Sequence, residues 1–134
     1  MIKGNVLIRF RHPSKDLTYI SSLLDLPCSR SWIAGAPRMT PTGEPLSGTN
    51  PDSYWSTELK FPSESGFGEQ LRFAINRLKD NEKDLHDFKE SGGKVEIYLQ
   101  LPGSINNGDT IESVDIKKIV GIGVDLLIEV FPDM

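Results

Sequence analysis

The chain has 134 residues, enough for one domain that buries roughly two-thirds of its unfolded surface, and its hydrophobic (37%) and charged (25%) fractions suit a globular protein. No apolar run approaches the roughly 20 residues of a membrane helix, and a net charge of −4 disfavours nucleic-acid binding, which depends on neutralising phosphates. The single cysteine, Cys28, cannot form an internal disulfide, and no secretory signal is visible at the start, so a cytoplasmic protein is expected.

Near the N-terminus, Val6, Ile8 and Phe10 alternate with Leu7, Arg9 and Arg11, which predicts a strand with one core face and one functional face. His12-Pro13-Ser14 closes it. Ser14 is then the expected N-cap of a helix carrying Leu17, Ile20 and Leu24 and stopped by Pro27. Arg30 to Ala36 reads as a short strand or extended bend. The four prolines and two glycines between Pro37 and Asp52 predict a long loop there.

Trp55, Thr57, Leu59 and Phe61 alternate with polar residues as a second strand, followed by a turn over Pro62–Gly66. Phe67, Leu71, Ala74, Ile75 and Leu78 make a helical stripe that Leu85 and Phe88 continue. The polar run from Lys79 to Asp84 allows one long helix or two abutting ones, with Asp80 or Asn81 capping the second. Gly92-Gly93 ends the helical region. From Lys94 to Leu101, Val95, Ile97, Leu99 and Leu101 face one way, and Lys94, Glu96, Tyr98 and Gln100 the other. After a turn-rich loop over Pro102–Asp109, Ser113 is expected to cap a short helix carrying Ile116, Ile119 and Val120. The last strand, Asp125 to Phe131, sets Leu126, Ile128 and Val130 against Leu127, Glu129 and Phe131.

The order β-α-β-β-α-β-α-β predicts a single α+β domain over residues 1–134, built as a two-layer sandwich. Its mixed sheet of about five strands is a ferredoxin-like core plus an extra α-β unit, with right-handed crossovers and helices mainly on one face. The place of the last strand stays open: an outer position lets its helix join the others, whereas its apolar content favours the interior.

With these landmarks in view, the chain resembles an uncharacterised bacterial family, the domain-of-unknown-function 4279 family. The landmarks are the first strand and helix, Leu26-Pro27, Ser31-Trp32, Gly35, Trp55, and Gly123 to Phe131, where the family ends with aspartate and tyrosine in place of Glu129 and Phe131. The resemblance implies the fold and brings no agreed activity. Small proteins of this kind resemble some that neutralise toxins encoded beside them.

No catalytic motif is assembled. Gly121-Ile122-Gly123 lacks a third glycine at Leu126 and precedes a strand, the reverse of a dinucleotide fingerprint. His12, His86 and Cys28 belong to different elements and lack metal-ligand spacing. Asp80, Asp84 and Asp87 share a helical face, but interleaved Lys79, Lys83 and Lys89 make it a solvated one. A Cys28–His12 pair would want a third group that is not identifiable, and Cys28 reads better as a small buried hydrophobe. No cofactor or metal is therefore expected. Trp55 reads as core, and Trp32 as either core or rim.

Two functions are expected to compete. In the first, the open sheet face, with Arg9, Arg11, Glu96, Tyr98, Leu127, Glu129 and Phe131, is the recognition surface of a non-catalytic protein-binding module. An immunity-type inhibitor of a basic, toxin-like partner is its specific form. In the second, Arg30, Trp32, Gly35 and Arg38, with Arg9 and Arg11, rim a pocket under the 37–52 loop for a small anionic ligand or substrate.

Overall fold

A computed structural model describes residues 4–61, 65–103 and 108–132. In chain order the elements are β1 (Asn5–His12), α1 (Ile20–Leu24), β2 (Arg30–Trp32), β3 (Pro37–Met39), β4 (Pro45–Thr49) and β5 (Ser53–Glu58). They continue with α2 (Phe67–Lys79), α3 (Glu82–Glu90), β6 (Lys94–Pro102), α4 (Ser113–Ile122) and β7 (Asp125–Phe131). Five strands form one sheet in the order β2-β5-β1-β6-β7, and β3 and β4 form a separate two-stranded hairpin.

β1 is central because its alternation is complete: Val6, Ile8, Phe10 and His12 are buried, and the residues between them are half-buried. It pairs antiparallel with β5 and with β6, and β2 pairs antiparallel with the outer side of β5. These four strands make the ferredoxin-like core. β7 lies parallel to β6 on its far side, so the last strand takes the outer position.

The inner sheet face and the helices share one core. Trp55, Phe10, Ile8, Ile97 and Leu99 from the sheet meet Leu71, Ile75 and Leu78 of α2 and Leu85 of α3, all nearly inaccessible. Each such side chain contributes about 1.5–3 kcal/mol by leaving water. Phe10 packs edge-on against both Trp55 (centroids 5.7 Å apart) and Phe88 (5.3 Å). The Trp55 indole N–H donates to Ser21 Oγ at 3.0 Å, which satisfies its polar atom inside the core and anchors α1.

Several expectations change. The first helix is a single turn and a half rather than a helix capped by Ser14. His12 Nδ1 accepts from the amides of Ser14 and Lys15, bending the chain at 13–14, and a turn at 18–19, where Thr18 N–H donates to Asp16, leads into Ile20. The helical region is two helices, and Asn81 precedes the second without a side-chain cap, its amide donating instead to Arg77 O. On α4 the inward residues are Asp115, Ile119 and Ile122, whereas Ile116 and Val120 are exposed. The 37–52 segment is not a plain loop: β3 and β4 pair across it, with Gly43 (φ 87°) in the connecting turn. Every residue of that hairpin's strands is exposed, so no burial alternation marked it in the sequence. The turn expected over 62–66 and the loop over 102–109 lie in part outside the described residues. Among the described residues, no helix is long and apolar enough to cross a membrane.

Candidate functional site

Among the described residues no helix packs on the second face of the sheet, and strand register dictates what it carries. Arg11 lies opposite Tyr54, and Tyr54 opposite Trp32; Arg9 lies opposite Ser56, and Ser56 opposite Arg30. Residues directly opposite share a face, so Arg30, Trp32, Tyr54, Arg9 and Arg11 stand together. Toward the other edge, Glu96 is opposite Arg9, Tyr98 opposite Leu7 and Leu127 opposite Tyr98.

The face divides into two parts with different chemistry. On β1, β6 and β7 the polar groups satisfy one another. Arg9 Nε donates to Glu96 at 2.8 Å, and the guanidinium lies 4.4 Å from the centre of the Tyr98 ring. The Tyr98 hydroxyl donates to Glu129. Tyr98 is only 8% exposed, covered by these neighbours rather than by a helix. Burial, and then the bond to Glu129, raise its pKa above the usual phenol value. Leu127 is exposed and Phe131 half-buried. Of the seven residues expected on the recognition surface, Arg9, Glu96, Tyr98 and Glu129 thus bond to one another and Tyr98 is covered, whereas Leu127 and Phe131 keep exposed surface and Arg11 belongs to the other part of the face.

On β2, β5 and β1 the arrangement is different. Trp32 stacks on Tyr54 at 4.3 Å between centroids and 15° between planes. The Arg11 guanidinium lies 4.7 Å from the Tyr54 ring centre, and that of Arg30 lies 5.0 Å from Trp32. Contact with a ring face attracts these two guanidinium groups without using up their N–H donors. The β3–β4 hairpin rises beside the stack and encloses a cleft of about 560 Å³. Arg11, Arg30, Arg38 and Asp52 supply its charges, three positive against one negative, and Trp32, Met39 and Leu46 its apolar wall.

The cations there are weakly committed. Arg11 reaches Asp52 at 3.4 Å, and Arg38 donates to Ser47 O at 3.2 Å within the hairpin. Among the described residues, neither Arg30 nor Arg38 has a carboxylate within ion-pair distance. The Trp32 indole nitrogen is buried with no hydrogen-bond acceptor among the described residues.

Of the four residues expected on the rim, Arg30, Trp32 and Arg38 line the cleft. Gly35 does not; it is at the β2–β3 turn with φ 82°, where its amide donates to Asn50 O, and a β-carbon would be strained. Arg9 is likewise absent from the lining, held away by Glu96. Sequence reasoning missed Tyr54 and Asp52. Starting the second strand at Ser53 rather than Trp55 would have placed Tyr54 on the arginine face by parity alone.

The other candidates for chemistry are occupied or isolated. His12 Nδ1 accepts two backbone N–H groups, so its Nε2–H donates to Ser91 Oγ at 3.1 Å, and Ser91 donates onward to Phe88 O. Cys28 is exposed rather than buried. Among the described residues, no three His, Cys, Asp or Glu side chains are grouped closely enough to hold a metal ion. No family model, curated protein or solved structure matches the chain.

Proposed function

We propose that this protein is a binding module whose site is the arginine–aromatic cleft between the sheet face and the β3–β4 hairpin, and that it takes a small anionic ligand. The observation that carries this reading is the convergence of Arg11, Arg30 and Arg38 on one cleft containing a single carboxylate. Guanidinium groups present paired N–H donors that match a carboxylate or phosphate, and contact with the Trp32 and Tyr54 rings restrains two of them. Met39 and Leu46 would contact an apolar or aromatic part of the same ligand.

Thermal unfolding with inorganic phosphate, citrate or phenyl phosphate at millimolar concentration tests the proposal. A ligand at about ten times its Kd stabilises the native state by about 1.4 kcal/mol, a shift of several degrees in a domain of this size. Arg30→Ala combined with Arg38→Ala should remove that shift while leaving the unliganded midpoint nearly unchanged. If no probe stabilises the wild type, or the double variant responds equally, the cleft is not an anion site.

The openness of the cleft favours a second reading, a protein-binding module of the immunity type. Tryptophan, tyrosine and arginine are the residues that dominate interface hot spots. The cleft is locally basic although the chain carries −4 overall. An acidic side chain of the partner would therefore seat there, and a basic partner would have to bind elsewhere. Mixing with the purified product of an adjacent gene separates the two readings: a complex that Arg30→Ala weakens supports protein recognition.

A further inference from the structure

We propose that β7 is the interface of a two-fold homodimer, pairing antiparallel with β7 of a second copy about an axis through Ile128, so that two five-stranded sheets become one. β7 is bonded to β6 on one side only, and its outer edge is unpaired among the described residues. Natural edge strands are usually shortened, bulged, or protected by lysine or proline. This one runs seven residues in unbroken register with β6 and has no lysine, proline or bulge, its charges being confined to Asp125 and Glu129.

The side chains around the edge are apolar and open. Ile128 is 51% exposed and Val130 57%, and both share the helix-side face with Leu126, which packs on the core. Above them, α4 is tied to α2 by Asp115–Arg72 and Lys118–Asn76, each at 3.2 Å. Helical geometry then turns Ile116 and Val120 (74% exposed) to the flank away from α2, on the β7 side. A strand edge and a helix flank thus expose one apolar strip.

Charge selects both the occupant and the register. A two-fold axis normal to the sheet keeps the two faces distinct, so opposed positions must have the same parity. An axis through Leu127 would set Asp125 against Glu129 of the second copy, and one through Glu129 would set that residue against itself. The axis through Ile128 avoids both. It sets Ile128 on Ile128, Leu126 on Val130, Leu127 on Glu129 and Asp125 on Phe131. The strand is therefore complementary to itself in a single central register, as an isologous interface requires. The α4 helices of the two copies would meet across the axis through Ile116 and Val120.

Sedimentation equilibrium over a dilution series is the test. The wild type should approach twice its 14.9 kDa mass, and Ile128→Lys should return it to the single-chain mass. Val120→Lys, at a site too exposed to disturb folding, should raise the dimer dissociation constant at least tenfold. In a Cys28→Ser background, Ile128→Cys should form an intermolecular disulfide on oxidation. Asp125→Cys, which this register places about 20 Å from its own copy, should not. A wild type of single-chain mass at every concentration overturns the proposal. So does a dimer indifferent to both lysines, which would assign the apolar strip to a different partner, or cross-linking at position 125 as efficient as at 128.

Discussion

Tyr54 and Trp55 are neighbours in the chain, yet one stacks beneath the cleft and the other fills the core, because successive strand residues point to opposite layers. The same parity places Tyr98 on the outer face, where side chains rather than helices cover it. Its raised pKa means that the native state holds the phenol proton more tightly than the unfolded chain does. The resulting stability is whole below pH about 10 and is lost as pH rises through the folded value. Tyr98→Phe should lose about 1 kcal/mol at neutral pH, the worth of one hydrogen bond, and flatten the alkaline limb of the stability curve. Urea denaturation repeated from neutral to strongly alkaline pH would show it; an unchanged alkaline limb would mean that other groups cause the loss. Arg30, Trp32 and Arg38 were legible as a rim because cations and an aromatic flank a proline-rich segment. The buried Asp115, paired to Arg72, was not: nothing local in the helix distinguishes an inward carboxylate from the exposed ones nearby.

Among the elements, those with a burial period were readable and those without one were not. β1, β6 and α2 follow their alternation or stripe, and β7 has the predicted bounds. The β3–β4 hairpin has no buried side, so only its prolines and glycines showed, and those signal irregular chain. On α4, five apolar side chains compete for one inward face; Ile119 and Ile122 take it together with Asp115, which pairs with Arg72, and Val114, Ile116 and Val120 stay outside. The apolar content of β7 suggested an inner strand, whereas it forms an outer edge whose apolar face α4 only partly covers. Because the hairpin adds little to the core, replacing residues 37–49 by a short glycine-serine link should shift the thermal midpoint by only a few degrees. The same change should abolish anion-induced stabilisation. A large loss of stability on this deletion would instead make the hairpin a structural part of the domain.

For the molecule as a whole, all four helices and the inner sheet face contribute to one hydrophobic cluster, from Val6 to Val124. A single core predicts a single cooperative transition. The chain has two tryptophans, so Trp32→Phe leaves Trp55 as a reporter at the centre of that core. Its fluorescence and the far-ultraviolet circular dichroism should then trace superimposable urea curves; separated midpoints would reveal a subdomain, with the α4–β7 unit the first suspect.

The central place of β1 has a consequence for biosynthesis. Of the five strands of the sheet β1 is translated first and lies at the centre, yet its partners at 53–58 and 94–102 follow much later. Until then an apolar ribbon waits without neighbours, and closing such distant pairings is slow. The sheet thus closes around β1 only after residues 94–102 have emerged, and in that interval the nascent segment is a substrate for chaperones.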